Sequence, residues 1–452
     1  MDIIQRLLHK VSLGVPSPRR SRPPHPPALN TPEQWQAYWE AQGQPWRREP
    51  EIDRQRQAEL AQRRDIVPDI KQSIYPFKGV KLSRADIEWL LATHEAGRGP
   101  VNWSDESQHR RLGIDLRGAD LRRTDLSFLP LARLQSSLSW SERNKATLEQ
   151  RTMAAARMEG VNMNFAHLER ALLHDVHLEQ ANLSRAFLEQ ANLRGAYLDR
   201  ARLSYAHFKG AYLRGASLKK TNFCDAFLEG ARLNDVLLSD EKGVGPLVAD
   251  AHWDAVNLAV VRWSQIHLLG DEYEAWQKTR DGQMKDNATQ LDEHERAVRA
   301  NRQLAIALQS QGLNEVAARF SYRAQVLQRR VYWFEMFQQR VKLRQRGQAL
   351  GAWLFSWFLF LLAGYGYKPG RSFLVYLLVI VGFTALYLGL DGQLAWYEAI
   401  VVSMTAFHGR GFSPSTFSPG DPLSIASAFE AFVGLIIEVT FIATLTQRFF
   451  NK

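Results

Sequence analysis

From Leu148 to Leu238 an apolar residue recurs at every fifth position. The series runs Leu148, Met153, Met158, Met163, Leu168, Leu173 and onward through Phe208 and Phe223 to Leu238. Two places before most of these sits a small residue, as at Ala181, Ala186, Ala191, Ala196 and Ala201, with Val176 and Thr221 as larger exceptions. A period of five fits neither the 3.6 of a helix nor the 2 of a strand. A strict short repeat predicts a solenoid, in which each unit buries its apolar face only against neighbouring coils.

The run ANLSRAFLEQANLRGAYLDRARL resembles the pentapeptide-repeat family. The resemblance implies a right-handed quadrilateral β-helix with four pentapeptides per coil, the central Leu or Phe and the preceding Ala pointing inward. Leu116, Leu121 and Leu126 belong to an earlier stretch in a different phase, which predicts an insertion near 127–147, a loop or short helix. After Leu238 the segment SDEKGVGP interrupts the pattern, and Trp253, Leu258, Trp263 and Leu268 return in the original phase. The rod is expected over 111–270, roughly 30 Å long at the spacing of stacked strands.

Around the rod, residues 1–32 form a basic, Pro-rich tail expected to be disordered. Its first turns put Ile3, Ile4, Leu7, Leu8 and Val11 on one helical face. Residues 33–110 read as a helical region anchored by Trp35, Tyr38, Trp39 and Trp46. Residues 290–346 read as an α-helical hairpin about Gly312, similar to a single tetratricopeptide-like pair.

Nearly all long apolar runs lie after Gln348. Ser372–Leu390 carries no charge and predicts a transmembrane helix; Leu423–Thr446 is long enough for a second. Leu350–Tyr367 is also uncharged, but Lys342, Arg344 and Arg346 precede it and Lys368 and Arg371 follow it. Basic residues favour the cytoplasmic side, so 350–367 reads as interfacial or half-inserted, with a third span as the alternative. Between the two spans Arg410 is the single Arg or Lys; Arg448 and Lys452 follow the second. A multi-pass protein of the cell (inner) membrane is expected, with both termini cytoplasmic.

Between the spans, Ala395–Phe407 reads as a helix too short to cross, followed by the Gly-rich turn HGRGF. This order resembles the pore module of potassium-type two-transmembrane channels, over residues 371–452. The resemblance puts Thr405, Phe407, His408, Gly409, Arg410, Gly411 and Phe412 in a filter-like loop, where glycine adopts the backbone angles a ring of carbonyls needs. It also departs from the family. Phe407–His408 stand for the usual threonine–valine, Arg410 for the tyrosine and Phe412 for the aspartate, so potassium selectivity is not implied. Monovalent ions of unassigned selectivity are the expected cargo.

Charged groups inside an apolar helix are costly and mark function or partnership. Glu438 lies mid-membrane and Glu430 nearer the outer end; both, with Glu398, are candidate pore-supporting acids, and Gly434 is a candidate hinge. Arg410 needs a carboxylate, with Glu398 and Glu438 as candidates, unless four copies point it inward as a positive ring.

Charge sharpens this picture. The chain of 452 residues has 57 Lys and Arg against 47 Asp and Glu, a formal +10. The basic residues crowd ahead of the apolar end, which suits an anionic inner leaflet. Residues 146–238 carry 12 Lys and Arg against 10 Asp and Glu, so the rod lacks the acidity for mimicking a nucleic acid, and no nucleic-acid partner is expected. The single Cys224 forms no intrachain disulfide. The start MDIIQRLLHKVSLG has no apolar core of signal-peptide length. Histidines lack ligand spacing, no phosphate loop or nucleophile elbow appears, and no metal, cofactor or enzymatic activity is expected. The expectation is a homotetrameric channel carrying a repeat domain that assembles or regulates it; the alternative is a non-conducting membrane-anchored scaffold.

Overall fold

The computed structural model describes residues 31–279, 282–338, 343–391, 394–409 and 421–450. The basic tail's residues 1–30 and the loop residues Arg410, Gly411 and Phe412 lie outside them. Three helices open the described chain: α1 (Pro32–Ala41), α2 (Arg54–Arg64) and α3 (Arg84–Ala92). Asp53 caps α2 and a Ser83–Asp86 capping box starts α3. This layer closes the first coil of the rod. The amide of Gly79 donates to Gly118, that of Leu82 to Asp120, and that of Asp120 to Val80. At its centre Glu88 is fully buried and accepts from the Arg48 and Glu49 amides and from Arg84 Nε.

The rod is a ladder of parallel single-residue bridges stepping by one coil. Arg157 pairs with His177, His177 with Tyr197, Tyr197 with Ser217 and Ser217 with Leu237, and the other three sides repeat the step. Among the described residues no strand is longer than such a bridge. Twenty residues per step and five per side give four sides. Leu178, Leu183, Leu188, Ala181, Ala186 and Ala191 are fully buried, one large and one small side chain per side. Most corners turn through a residue at positive φ: Gln180 at 60°, Arg185 at 58°, Gln190 at 56°, Arg200 at 60°. That conformation costs a non-glycine residue about 1–2 kcal/mol. The next coil holds it, since the amides of Gln190 and Arg200 donate at 2.9 Å to the carbonyls of Lys209 and Lys219.

The insertion overlaps the second half of 127–147 and runs on past it, between Gln135 and Arg157. The early phase continues through Gln135, which bridges both Asp115 and Leu172, and the jump falls where Asp120 pairs with Arg157. Two short helices fill it, α4 (Trp140–Lys145) and α5 (Leu148–Ala154). Leu148 and Met153 keep the five-residue beat in sequence, but they sit on α5 outside the tube, 77% and 42% exposed. The second interruption adds one extra pentapeptide: Asn222 pairs with Leu247, and the Asp240–Val244 turn closes through Asp240 Oδ1, which accepts from the amides of Lys242 and Val244. Five added residues preserve the phase, so Leu258 and Trp263 return to the core.

Beyond the rod come α6 (Gly270–Trp276), then the hairpin α7 (Asn287–Gln309) and α8 (Asn314–Met336), then α9 (Leu343–Ala363). A tight turn leads into α10 (Pro369–Leu390), α11 (Trp396–Phe407) and α12 (Pro422–Phe450). By length and composition, α10 and the Pro422–Thr446 portion of α12 are apolar enough to cross a membrane.

Candidate functional site

The apolar end is built on three helices. α11 is 12 residues long, about 18 Å at 1.5 Å per residue, too short to span a bilayer core. It packs between α10 and α12, and Leu362, Ile380, Phe407 and Ile437 form one buried cluster while Tyr387, Ala399 and Ala426 form another. A polar tie fixes the three. Glu430 of α12 is fully buried; it accepts from Tyr387 Oη of α10 at 2.6 Å and from Ser403 Oγ of α11 at 2.5 Å. A buried carboxylate is tolerated when its lone pairs are met, and here both oxygens have a donor.

The other acids hold different positions. Glu398 caps α11, accepting from the Ala395 amide at 3.1 Å. Glu438 pairs with His408 Nδ1 just past the end of α11. Thr405 Oγ1 bonds back to the carbonyls of Val401 and Val402. Phe407 is buried edge-on to Tyr376, with ring centroids 4.8 Å apart. Gly409 stands at φ +62°, beyond the reach of an unstrained β-branched residue. Gly434 lies within the unbroken α12, against the backbone of Phe407: a Cβ there would collide with the Phe407 carbonyl oxygen and come within 2.9 Å of its carbon. The glycine lets α11 and α12 meet at backbone contact.

Large apolar side chains face outward from this unit: Phe373, Leu374, Leu377, Leu378 and Val381 on α10, Phe429, Phe432, Leu435 and Val439 on α12. Continuous apolar surface of this extent marks an interaction face.

A second set of contacts ties the rod to this unit. Arg323 of α8 makes a two-pronged pair with the buried Glu272 of α6 at 2.8 and 2.7 Å. Arg319 donates to the Trp263 carbonyl at 2.6 Å, and Gln311 bonds both the Val256 carbonyl and the Leu258 amide. Asp271, beside them, accepts from the Val248 and Ala249 amides, and burial pushes its carboxyl up to about 6. Burial likewise pushes the neighbouring Cys224 thiol up to about 12, which leaves it protonated and unreactive. On the far side α8 meets α9 through Trp333 and Trp353 at 5.6 Å.

Sequence reasoning singled out the acids without their partners. Tyr387 and Arg329 were missed, and Lys368 and Arg371 were read only as basic flanks; a tyrosine and an arginine adjoining apolar helices were the available signals. Among the described residues no group of three or more His, Cys, Asp or Glu could hold a metal ion.

Residues 171–204 and 201–240 match the family model for pentapeptide repeats, in eight copies. Among solved structures, the chain is similar to HetL, a pentapeptide repeat protein involved in heterocyst differentiation regulation from the cyanobacterium Nostoc sp. strain PCC 7120. Identity there is 24%, over 35% of this chain and 64% of that one, with a TM-score of 0.17. A pentapeptide repeat protein from the thylakoid lumen of Arabidopsis thaliana is 23% identical over 28% of this chain and 71% of its own, TM-score 0.16. A third, from the cyanobacterium Cyanothece 51142, is 22% identical over 31% and 82%, TM-score 0.14. The chain thus spans just under two thirds of the HetL chain. No curated protein matches this chain.

Proposed function

We propose that this pentapeptide-repeat protein is a membrane ion channel of four identical subunits, with the repeat rod in the cytoplasm as its assembly and regulatory domain. The observation that carries the reading is the wedging of the short α11 between two long apolar helices, its C-terminal end followed by Gly409 at positive φ. A helix that stops part-way needs a reason to be in the membrane, and supporting a re-entrant ion path supplies one. One such loop cannot enclose an ion; four can. The outward apolar faces of α10 and α12 have the chemistry for lipid on one side and neighbouring subunits on the other. The basic flanks Arg344, Arg346, Lys368 and Arg371 suit a cytoplasmic position for the start of α10 and for the rod.

The repeat rod is stiff, because each coil hydrogen-bonds the next along four sides. It is continuous through Trp263, Glu272, α8 and α9 with the first membrane helix, so displacement of the rod reaches the pore helices. The purified full chain in planar bilayers should pass discrete unitary currents, and deleting residues 1–289 should change open probability. No unitary current from the full chain means a non-conducting scaffold. Unchanged gating after the deletion means the rod only assembles the complex.

A further inference from the structure

Where α9 turns into α10, cations gather against aromatic rings with no acid among the described residues paired to them. The chain reverses through Gly364, Tyr365 and Gly366, all at positive φ, and α10 begins at Lys368–Pro369 with no side-chain cap. Arg329 of α8 lies over the rings of Trp357 and Phe360, at 4.0 and 4.4 Å. Arg371 lies over the same Phe360 at 4.5 Å and donates to its carbonyl at 3.0 Å. The Lys368 ammonium lies 4.7 Å over Tyr322, whose ring meets Tyr365 and Tyr367 edge-on. The ion pairs of the surrounding elements use other groups, Arg323 with Glu272 and His408 with Glu438. Among the described residues Arg329, Lys368 and Arg371 pair with no carboxylate, and Arg329 Nη1 is buried without a hydrogen-bond partner.

We infer that this cluster is a binding site for the phosphate of an acidic phospholipid in the cytoplasmic leaflet. The inference rests on the membrane reading of α10 and α12 given above. A buried guanidinium donor left open calls for an acceptor, and phosphate matches the arginine fork in geometry and charge. The depth also fits. The site sits one turn before the uncharged stretch Ser372–Leu390, and Trp353, Trp357, Tyr365 and Tyr367 surround it as rings do at a headgroup level. The bound phosphate would bridge α8, which carries the rod, to α10, which enters the membrane.

The test uses the full chain in vesicles of phosphatidylcholine with trace spin-labelled phosphatidylglycerol or spin-labelled phosphatidylcholine. The native chain should hold the acidic label in preference to the neutral one. Arg329→Gln, Lys368→Gln and Arg371→Gln should each reduce that preference about five-fold, the worth of one cation near a charged surface. Arg371→Lys should retain it, which separates charge from folding, and circular dichroism checks each variant. A preference unchanged in the triple glutamine variant, with the chain still floating with the vesicles, overturns the site. Displacement of the acidic label by inorganic phosphate in the buffer makes the ligand a free anion and overturns the lipid assignment. A chain that fails to float with phosphatidylcholine vesicles overturns the membrane reading itself.

Discussion

Arg323→Ala should free the helical hairpin from the rod. Arg323 donates twice to Glu272, at 2.8 and 2.7 Å, and Glu272 is nearly fully buried. Removing one partner of a buried pair strands the other charge, at about 3–5 kcal/mol. The Arg323 side chain is 30% exposed, so water reaches the vacated place and screening brings the cost below that range, to about 2–3 kcal/mol. The neutral bonds of the same joint, which join Gln311 to Val256 and Leu258, are each worth about 1 kcal/mol, and the Asp250 carboxylate that Gln303 and Arg299 meet is partly exposed and screened. The ion pair is therefore its largest polar tie. Hydrogen exchange of the full chain gives the readout: amides of α7 and α8 should exchange about 30-fold faster, while those of the rod around Leu188 and Leu198 keep their protection. The double variant Glu272→Leu with Arg323→Leu should recover most of the loss, since neither charge is then stranded. Native exchange rates in α7 and α8 of Arg323→Ala would refute the reasoning, and so would equal loosening of hairpin and rod.

Three further outcomes follow from single sites. Burial raises the Glu189 carboxyl to about 7 on the rod's surface ladder, with Glu169 adding repulsion. A folded value above the unfolded one means stability is full at acid pH and lost as pH rises toward and through 7. Glu189→Gln should thus be neutral near pH 4 and stabilise by about 1–2 kcal/mol near pH 8, after discounting for partial exposure, measured by urea unfolding. Gly434→Ala should lower the melting temperature in detergent, an overpacking cost of about 1–3 kcal/mol against the Phe407 carbonyl, whereas Gly382→Ala, with open space at its Cβ, should not. Glu430→Leu strands the Tyr387 hydroxyl, while Ser403 keeps the Ile380 carbonyl, and should destabilise the three-helix unit by about 1–3 kcal/mol; Glu430→Gln keeps an acceptor and costs less, and thermal unfolding in detergent ranks them.

The rod was legible because a narrow tube imposes an unbroken period: each side admits one Leu or Phe and one Ala, and any other spacing exposes them. The same rule misled at Leu148 and Met153. There the helix α5 happens to carry apolar residues five apart, and the beat runs past the true boundary. The capping boxes Ser139–Glu142 and Thr147–Gln150 were the better guide, since they start helices by a local mechanism. The extra pentapeptide before Leu247 was bound to leave the phase intact, because it adds one whole unit. The two long apolar helices were legible from composition. Their ties were not: Tyr387 and Glu430 lie 43 residues apart, and nothing local in either names the other. The Arg329–Phe360–Arg371 cluster is hidden for the same reason, as three separate elements supply it.

In the proposed assembly four copies of this chain surround one ion path. Native mass spectrometry of the full chain, released from a mild detergent, counts the copies directly. A single dominant species of four chains is expected; a stable monomer or dimer as the dominant species rules out the four-chain assembly.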